Sequence, residues 1–184
     1  MRPRKCQNPA CRETFVPQRM GQVACSPMCA VEVAKFKRAK EVKKADASKR
    51  QALKTRSDLV REAQAAFNAY IRVRDQLAGH PCISSGQPLD WSGNNVDAGH
   101  YRSTGAAPHL RFDERNCHAQ SKKENRWLAG NAADYRIGLI ARIGLAAVEA
   151  LEADQSERKW SREELIEIRN RYRAKRRELL KGMA

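Results

Sequence analysis

Apolar residues recur at three- and four-residue intervals over the second quarter of the chain. The segment 31–78 contains neither proline nor glycine and is rich in alanine, lysine and arginine. Its second half follows the spacing of one helix face, through Leu59, Val60, Ala63, Phe67, Tyr70 and Ile71. The pattern predicts one long helix, or two helices in tandem with a weak point near Ala45–Ser48.

A second helical pattern begins at about Asn131. It carries one apolar stripe, made by Tyr135, Leu139, Ile140, Ile143, Ala147, Val148 and Leu151. Further on, Ser161 and Glu164 have the spacing of a capping box, in which the two side chains accept hydrogen bonds from amides that the helix start leaves unpaired. Ser161 therefore predicts the start of a last helix that runs to about Leu180.

The segment 79–131 between these patterns is rich in turn-forming residues. Gly, Pro, Asn, Asp and Ser cluster there, together with all four histidines of the chain. The run Ser92-Gly93-Asn94-Asn95 is typical of a turn, and it precedes Val96–Arg102. We predict a short strand over Val96–Arg102.

The charge of the chain points to a polyanionic partner. Among 184 residues, 36 Lys and Arg outweigh 21 Asp and Glu, which gives a formal net charge of +15. An excess of this size predicts nucleic acid as the simplest partner. Segment 31–78 has 13 basic against 6 acidic residues, and segment 153–184 has 10 against 6. We expect both segments to follow phosphates without reading sequence, with steep salt dependence.

The distribution of apolar residues argues against a membrane-spanning helix and against a secretory signal. No apolar run reaches the roughly 18 residues of a membrane-spanning helix. The N-terminal sequence MRPRKCQNPAC has no apolar core of a secretory signal. We expect a cytoplasmic protein that has no membrane partner, and whose cysteines are therefore in a reducing compartment.

Four of the six cysteines lie in residues 1–30. Their spacing is Cys6-x4-Cys11-x13-Cys25-x3-Cys29, two close pairs joined by a spacer. Four thiolates at this spacing predict a structural zinc site without an open coordination position. Ser26-Pro27 would cap and start a helix directly after Cys25. The alternative is a set of free buried cysteines.

A second group of residues has the composition of a phosphodiester-cleaving site. The stretch 97–101 contains Asp97 and His100, residue 116 is asparagine, and Asn125 follows nine residues later. Hydrolysis of DNA with one metal ion needs a base, a divalent ion and a rigid scaffold. His100 on a strand, Asn116 in a loop and Asn125 on a following helix would supply them. Each of these residues could instead be structural.

These residues resemble the signature of the HNH, or ββα-metal, nucleases. The resemblance implies that His100 is the general base and that Asn116 fixes the loop between strand and helix. It places Asn125 at the last signature position, which makes the motif an H-N-N variant. An asparagine oxygen as ligand favours Mg²⁺ or Mn²⁺ as the catalytic ion.

The resemblance extends over nearly the whole chain. The four cysteines, the Lys/Ala-rich helix, the motifs DAGHY, LRFDERN and NRWLAGN, and the basic tail occur in the order of the phage NinG (Rap) recombination proteins. The chain is similar to that family. The resemblance implies a structure-specific endonuclease of Holliday junctions and D-loops that acts in the cytoplasm of the bacterial host during phage recombination.

Two positions depart from the HNH pattern. Many HNH proteins hold the motif with a second zinc ribbon, but the matching positions here are Cys82 with Ser85 and Ser121 with Glu124. We therefore predict no second structural zinc. The residue before the signature histidine usually ligates metal and is Gly99 here. Asp97 is the nearest carboxylate, and we predict that it joins Asn125 in holding the ion.

The sequence thus predicts an α-rich α+β fold in four parts. These are a four-cysteine zinc module (1–30), a long basic helix (31–78), an HNH-like ββα-metal core (79–131) and C-terminal helices with a basic tail (132–184). We expect a homodimer, because symmetric cleavage of a four-way junction needs two sites. The residues expected to contact DNA near the scissile phosphate flank the motif, and they are Arg102, Arg111, Lys122, Lys123 and Arg126.

Two other functions remain compatible with these residues. One is a branched-DNA-binding recombination accessory protein whose catalytic site is degenerate. The other is a sequence-specific HNH endonuclease that cuts linear duplex at one site.

Overall fold

A computed structural model describes residues 1–127 and 131–182 of the chain. They form two compact units, Met1–Lys54 and Thr55–Ala184. Both units combine helices with a two-stranded antiparallel sheet. The fold is therefore helix-rich α+β, as the sequence predicts. The boundary between the two compact units lies between Lys54 and Thr55, and the predicted four-part division stays a prediction.

The first unit contains a small hairpin and one long helix. Strand β1 (Arg4–Lys5) pairs with β2 (Thr14–Phe15), and helix α1 spans Pro27–Leu53. Ser26 caps α1 because its side chain accepts a hydrogen bond from Cys29 N, and Pro27 is the first helical residue. This start is the predicted one. Of the 27 residues in α1, only Val33 is buried, so most of this helix faces solvent.

The break between the two long helices differs from the prediction. Helix α1 continues through Ala45–Ser48, and the next helix, α2, spans Arg56–Leu77. Thr55 begins α2 with a capping box, since its side chain accepts from Asp58 N while the Asp58 side chain accepts from Thr55 N. Such a cap satisfies amides that a helix start leaves unpaired. The break between the helices therefore lies at the capping box of Thr55 and not at Ala45–Ser48.

The larger core of the second unit joins α2 to the last helix, α5 (Arg162–Lys181). The predicted apolar face of α2 is buried, with Phe67 fully enclosed. The Phe67 ring meets Tyr172 of α5 edge-on at 4.8 Å and Phe112 at 5.8 Å. The predicted capping box of Ser161 and Glu164 starts α5.

A β-hairpin lies against this core. Strand β3 (Val96–His100) pairs antiparallel with β4 (Cys117–Ser121). The strand ends at His100, two residues earlier than predicted. A π-helical turn over Lys123–Trp127 follows β4. The hairpin and this turn carry the residues of the predicted nuclease motif.

The single helix expected after Asn131 is two helices. They are α3 (Ala132–Ile143) and α4 (Leu145–Ala153), separated by Gly144 with φ +85°. A positive φ of this size is tolerated mainly by glycine, so the chain turns there. The apolar stripe remains continuous in space, because Tyr135, Leu139, Val148 and Leu151 share one buried cluster. None of the described helices is long and apolar enough to cross a bilayer.

Candidate functional site

The four N-terminal cysteines converge on one point. Their sulfur atoms all lie within 4.8 Å of one another. Cys25 Sγ lies 3.7 Å from both Cys11 Sγ and Cys29 Sγ. Four sulfurs at about 2.3 Å from a tetrahedral ion are separated by about 3.8 Å. The donor set and its spacing therefore fit a structural zinc ion, as the sequence predicts.

Neighbouring polar groups favour the thiolate form of Cys29. Asn8 Nδ2 donates to Cys29 Sγ at 3.2 Å. This hydrogen bond and the one from Ser26 lower the pKa of Cys29 to about 7. Cys25 N also donates to Cys6 Sγ at 3.5 Å. Amide donors that hold sulfur ligands in place are the outer partners expected around a metal site.

The hairpin divides the residues of the predicted nuclease motif between its two faces. Side chains alternate along a strand, so Ala98 and His100 share one face of β3, and Asp97 shares the other with Gly99. Ala98 belongs to the core cluster of α2, and the His100 ring lies 5.9 Å from the Phe67 ring. Asp97 and His100 therefore lie on opposite faces of β3.

His100 is held as a neutral imidazole. Its Nε2 lies 3.0 Å from Arg111 O, and its Nδ1 lies 3.6 Å from Cys117 Sγ. Burial lowers the pKa of His100. Because a carbonyl can only accept, Nε2 carries the proton and Nδ1 keeps a lone pair. A neutral ring of this tautomer is able to accept a proton at Nδ1.

Asn116 is fully buried, and its side chain forms hydrogen bonds with the backbone of the loop between β3 and β4. Its Oδ1 accepts from Arg102 N at 2.8 Å, while its Nδ2 donates to Arg102 O at 3.0 Å and Leu110 O at 3.2 Å. Its backbone carbonyl accepts from Tyr101 N at 2.9 Å. The side chain thus fixes the backbone just after His100.

Asp97 and Asn125 meet on the other face of the hairpin. Asn125 Nδ2 donates to Asp97 Oδ2 at 3.0 Å, and Arg126 Nε donates to the same oxygen at 2.9 Å. A Cβ added at Gly99 would lie 2.2 Å from Gln120 Oε1. A side chain at residue 99 would therefore displace the amide end of the buried Gln120. Residues 128–130 of the motif NRWLAGN lie outside the described residues.

The residues expected to contact DNA have different environments. Lys122 Nζ donates to Asn94 O at 2.7 Å. Lys123 and Arg126 are exposed, although Arg126 is paired with Asp97. The Arg111 guanidinium donates to Gln64 Oε1 and Thr104 O, both at 3.1 Å. Lys122, Lys123 and Arg126 therefore form one basic edge next to Asp97.

Arg102 has a structural environment that the sequence did not predict. Its Nη1 donates to Leu151 O at 2.9 Å and to Asp154 O at 2.5 Å, at the carboxyl end of α4. A cation there satisfies carbonyls that the helix leaves unpaired and complements its dipole. The geometry assigns Arg102 to the end of α4, and its expected DNA contact is not supported by this placement.

A buried polar network behind β4 was also not predicted. Asp75 is fully buried and accepts from Arg74 Nε at 2.7 Å and Ala119 N at 2.6 Å. Arg74 Nη2 lies 3.0 Å from His118 Nδ1. Burial, followed by the Arg74 charge, lowers the pKa of His118 to about 3. The network connects α2 to the hairpin. Its one indication in the sequence is a charged residue, Asp75, on the apolar face of α2.

The positions that match a second zinc ribbon lie close together. Ser121 N donates to the buried Cys82 Sγ at 3.3 Å, and Glu124 N donates to Ser121 Oγ at 3.2 Å. The Ser85 side chain and backbone also bond to Cys82. Hydrogen bonds thus hold together the two segments that a ribbon would join.

Comparison with known proteins identifies the family. Residues 1–182 match the family model described as Bacteriophage Lambda NinG protein. The Protein ninG of Salmonella phage P22 is 41% identical over 196 residues, covering 96% of this chain and 93% of that protein. The Protein ninG of Escherichia phage lambda is 39% identical and that of Escherichia phage 933W 38% identical, each over the same shares of the two chains. No solved structure matches the chain significantly. The chain therefore belongs to the phage NinG family.

Proposed function

We propose that this protein is a divalent-metal-dependent endonuclease that cleaves branched DNA during phage recombination. The observation that carries the proposal is the hydrogen bond from Asn125 Nδ2 to Asp97 Oδ2 at 3.0 Å, which joins residues 28 positions apart. A rotation of the Asn125 amide would bring its oxygen to the same side as the carboxylate. A carboxylate and an amide oxygen form a donor pair for a hard cation. They lie beside the basic edge of Lys122, Lys123 and Arg126, where a phosphate would bind.

His100 acts as the general base in this proposal. Its pKa is lowered by burial, so the ring is neutral at neutral pH. The Arg111 carbonyl fixes the proton on Nε2. Nδ1 lies 3.6 Å from Cys117 Sγ, and it would take the proton of the water that attacks phosphorus once DNA bound at the end of β3 has displaced this contact. The P–O bond to the leaving oxygen then breaks, and solvent protonates that oxygen. Asn116 positions His100 by holding the backbone at Arg102.

Asp97 and Asn125 would hold Mg²⁺ or Mn²⁺. Mg²⁺ needs only one or two carboxylates because it keeps waters and substrate oxygens in its shell, so one aspartate and one asparagine fit it. When bound, the ion supplies charge stabilisation for the transition state. Arg126 shares Asp97 Oδ2 with Asn125. In the DNA complex Arg126 moves from this carboxylate to a phosphate.

Branched DNA is the substrate because a four-way junction presents several backbones to one basic protein. The exposed α1 and the end of α5 carry basic side chains that can contact phosphates. Two cuts at one junction require two sites, and we propose a homodimer. Light scattering of the protein alone and with a junction tests this, and a monomer in both samples contradicts the dimer.

The test of activity uses end-labelled DNA. A synthetic four-way junction and a linear duplex of the same arm sequence are incubated with Mg²⁺, Mn²⁺ or EDTA. Wild type, His100→Gln and Asp97→Asn are compared with His80→Gln, a loop histidine outside the motif. We expect metal-dependent cleavage of the junction by wild type and His80→Gln, and at least a 100-fold lower rate for the other two. Cleavage of the linear duplex at one site would instead indicate a sequence-specific endonuclease.

A second function is favoured by one observation. His100 and Asp97 lie on opposite faces of the hairpin, and both imidazole nitrogens of His100 have neighbours. This separation suits a protein that binds branched DNA without cutting it. Junction binding with no product in any metal, unchanged by His100→Gln, would support this function and overturn the nuclease.

A further inference from the structure

A groove with a basic rim runs between α2 and α5. Its volume is about 890 Å³. Alanines of α2 form its floor, among them Ala65 and Ala69. The rim belongs to α5 and includes its basic residues Arg173, Arg176, Arg177 and Lys181. Arg176 and Arg177 follow Arg173 by three and four positions, and Lys181 follows Arg177 by four. Residues at such spacing lie on one side of a helix.

The groove continues towards the hairpin. A smaller cavity of about 180 Å³ shares Ala69 and Arg176 with it. This cavity is lined by Arg72 of α2 and ends at Trp91, in the loop before β3. Asn94 lines the same cavity, and its carbonyl accepts from Lys122. The path therefore leads from the end of α5 to the basic edge beside Asp97.

The rim has an excess of unpaired cations. Within the described parts of the chain, Arg72, Arg173, Arg176 and Arg177 form no ion pair and donate no side-chain hydrogen bond. By contrast, neighbouring Arg169 and Lys175 are paired with Glu62 and Glu114, at 2.8 Å and 2.5 Å. Glu62 also lines the groove, but its carboxylate is paired with Arg169. Guanidinium groups that are not paired with a carboxylate suit phosphate ligands, which they bind through several donors at once.

The alanine floor of the groove and the tryptophan at the end of the adjoining cavity favour single-stranded DNA as the ligand. Trp91 is half-buried, and none of the described aromatic rings stacks on it. In a duplex, bases are already stacked on one another, so a tryptophan ring finds a free base face only in single-stranded DNA. Small alanine side chains also let a backbone approach the floor closely.

We propose that the α2–α5 groove binds single-stranded DNA, with phosphates on the arginines of its rim and one base stacked on Trp91. The inference deepens the proposed function, because an unpaired strand at a branch would pass along this groove towards the hairpin. It concerns binding alone. Its test therefore runs in EDTA, where cleavage is absent, and a failure of the nuclease proposal leaves it intact.

The test measures fluorescence anisotropy with a labelled single-stranded oligothymidylate and with a duplex of equal length. The variants are Trp91→Ala, Trp91→Phe and Arg176→Ala. Arg171→Ala is the matched control, because Arg171 is also on α5 but lies over the Tyr172 ring and does not line the groove. We expect Trp91→Ala to weaken single-strand binding at least about fivefold, with Trp91→Phe close to wild type.

The salt dependence of the affinity for single-stranded DNA tests the phosphate contacts of the rim independently. Arg176→Ala should lower the slope of log affinity against log salt by about 0.7 for single strands, the effect of one lost phosphate contact. Arg171→Ala should leave this slope unchanged. Equal slopes for the two variants would overturn the assignment of phosphates to the groove.

A photo-cross-link does not depend on the folding of any variant. An oligothymidylate containing one 5-iododeoxyuridine is irradiated on the wild-type protein, and the adduct is mapped by peptide mass spectrometry. An adduct on Trp91 supports the proposal. Adducts elsewhere, together with wild-type affinity for Trp91→Ala, overturn it. Capture of an acidic peptide that single-stranded DNA cannot displace would also overturn it, in favour of a protein partner.

Discussion

The side chain of Asn116 binds both backbone groups of Arg102. Its Oδ1 accepts from Arg102 N at 2.8 Å and its Nδ2 donates to Arg102 O at 3.0 Å. One amide thus replaces the strand partner that Arg102 lacks beyond the end of β3. Because His100 lies two residues earlier, this pairing fixes the orientation of the strand end that carries it.

Replacing Asn116 should cost much of the stability of the second unit. Asn116→Ala leaves two carbonyls and one amide of the loop without their partner, and we expect a loss of about 2–4 kcal/mol in the free energy of unfolding. Urea unfolding followed by circular dichroism measures it. Asn94→Ala is the control, since only the backbone carbonyl of the exposed Asn94 is used. Equal stability of the two variants would contradict the role of the Asn116 amide.

The four-cysteine cluster should contain one zinc ion per chain. Cys25→Ser removes a sulfur that lies 3.7 Å from two others. We expect it to weaken zinc binding by more than about 100-fold, beyond the effect of losing a group that only supports a ligand, and to unfold the start of α1. Atomic absorption and circular dichroism provide the two readings. Cys82→Ser should keep its zinc, and zinc loss in this control would show that the ion binds elsewhere.

Gly138 should tolerate no side chain. A Cβ at this position of α3 would lie 1.9 Å from Ile83 O. The carbonyl belongs to the backbone, so α3 itself must move, and we expect Gly138→Ala to cost about 1–3 kcal/mol. Gly105→Ala is the matched control, because nothing lies within 4 Å of its added Cβ. Thermal unfolding compares the two, and a melting temperature for Gly138→Ala at or above that of the control would refute the prediction.

Stability should decrease on acidification through the titration of His118. Burial lowers its pKa from 6.5 to about 3. Between these values the unfolded chain binds a proton that the folded chain does not, so the free energy of unfolding falls as pH falls. The slope contributed by this residue approaches about 1.4 kcal/mol per pH unit below pH 6. Above the unfolded value it contributes no slope.

Urea titrations at several pH values measure this dependence. His118→Gln should reduce the slope, and the remaining slope should include His100, whose pKa burial also lowers. His80→Gln, a substitution in a loop, should behave as wild type. A slope that is identical in His118→Gln and wild type would contradict the assignment.

The elements that the sequence predicted correctly are those with a local signal. The face of α2, the start of α1 at Ser26 and the capping box of Ser161 each depend on residues within one or two turns. The break at Thr55 also has a local signal, but its capping box has aspartate at the third position in place of the usual Glu or Gln. The break between α3 and α4 at Gly144 was not predicted, because the apolar stripe continues on both sides of it.

The candidate site was predicted less completely than the fold. The convergence of the four cysteines follows from their spacing. The environment of Arg102 could not be predicted, because its carbonyl partners at 151 and 154 return to it only in the folded unit. The faces of Asp97 and His100 follow from strand alternation once the strand bounds are known. The sequence grouped these two residues by proximity along the chain alone.

The two extended residues between the two long helices, Lys54 and Thr55, have an evolutionary consequence. Lys54 stands outside both helices, and Thr55 caps α2 using only Asp58, three residues later. The capping box that starts the first helix of the second unit therefore uses no residue before Thr55. A gene fusion joined between Lys54 and Thr55 would exchange the first unit, with its four cysteines, and leave the second unit with the cap of its first helix intact. Phage genomes that recombine there would inherit the two units as separate modules.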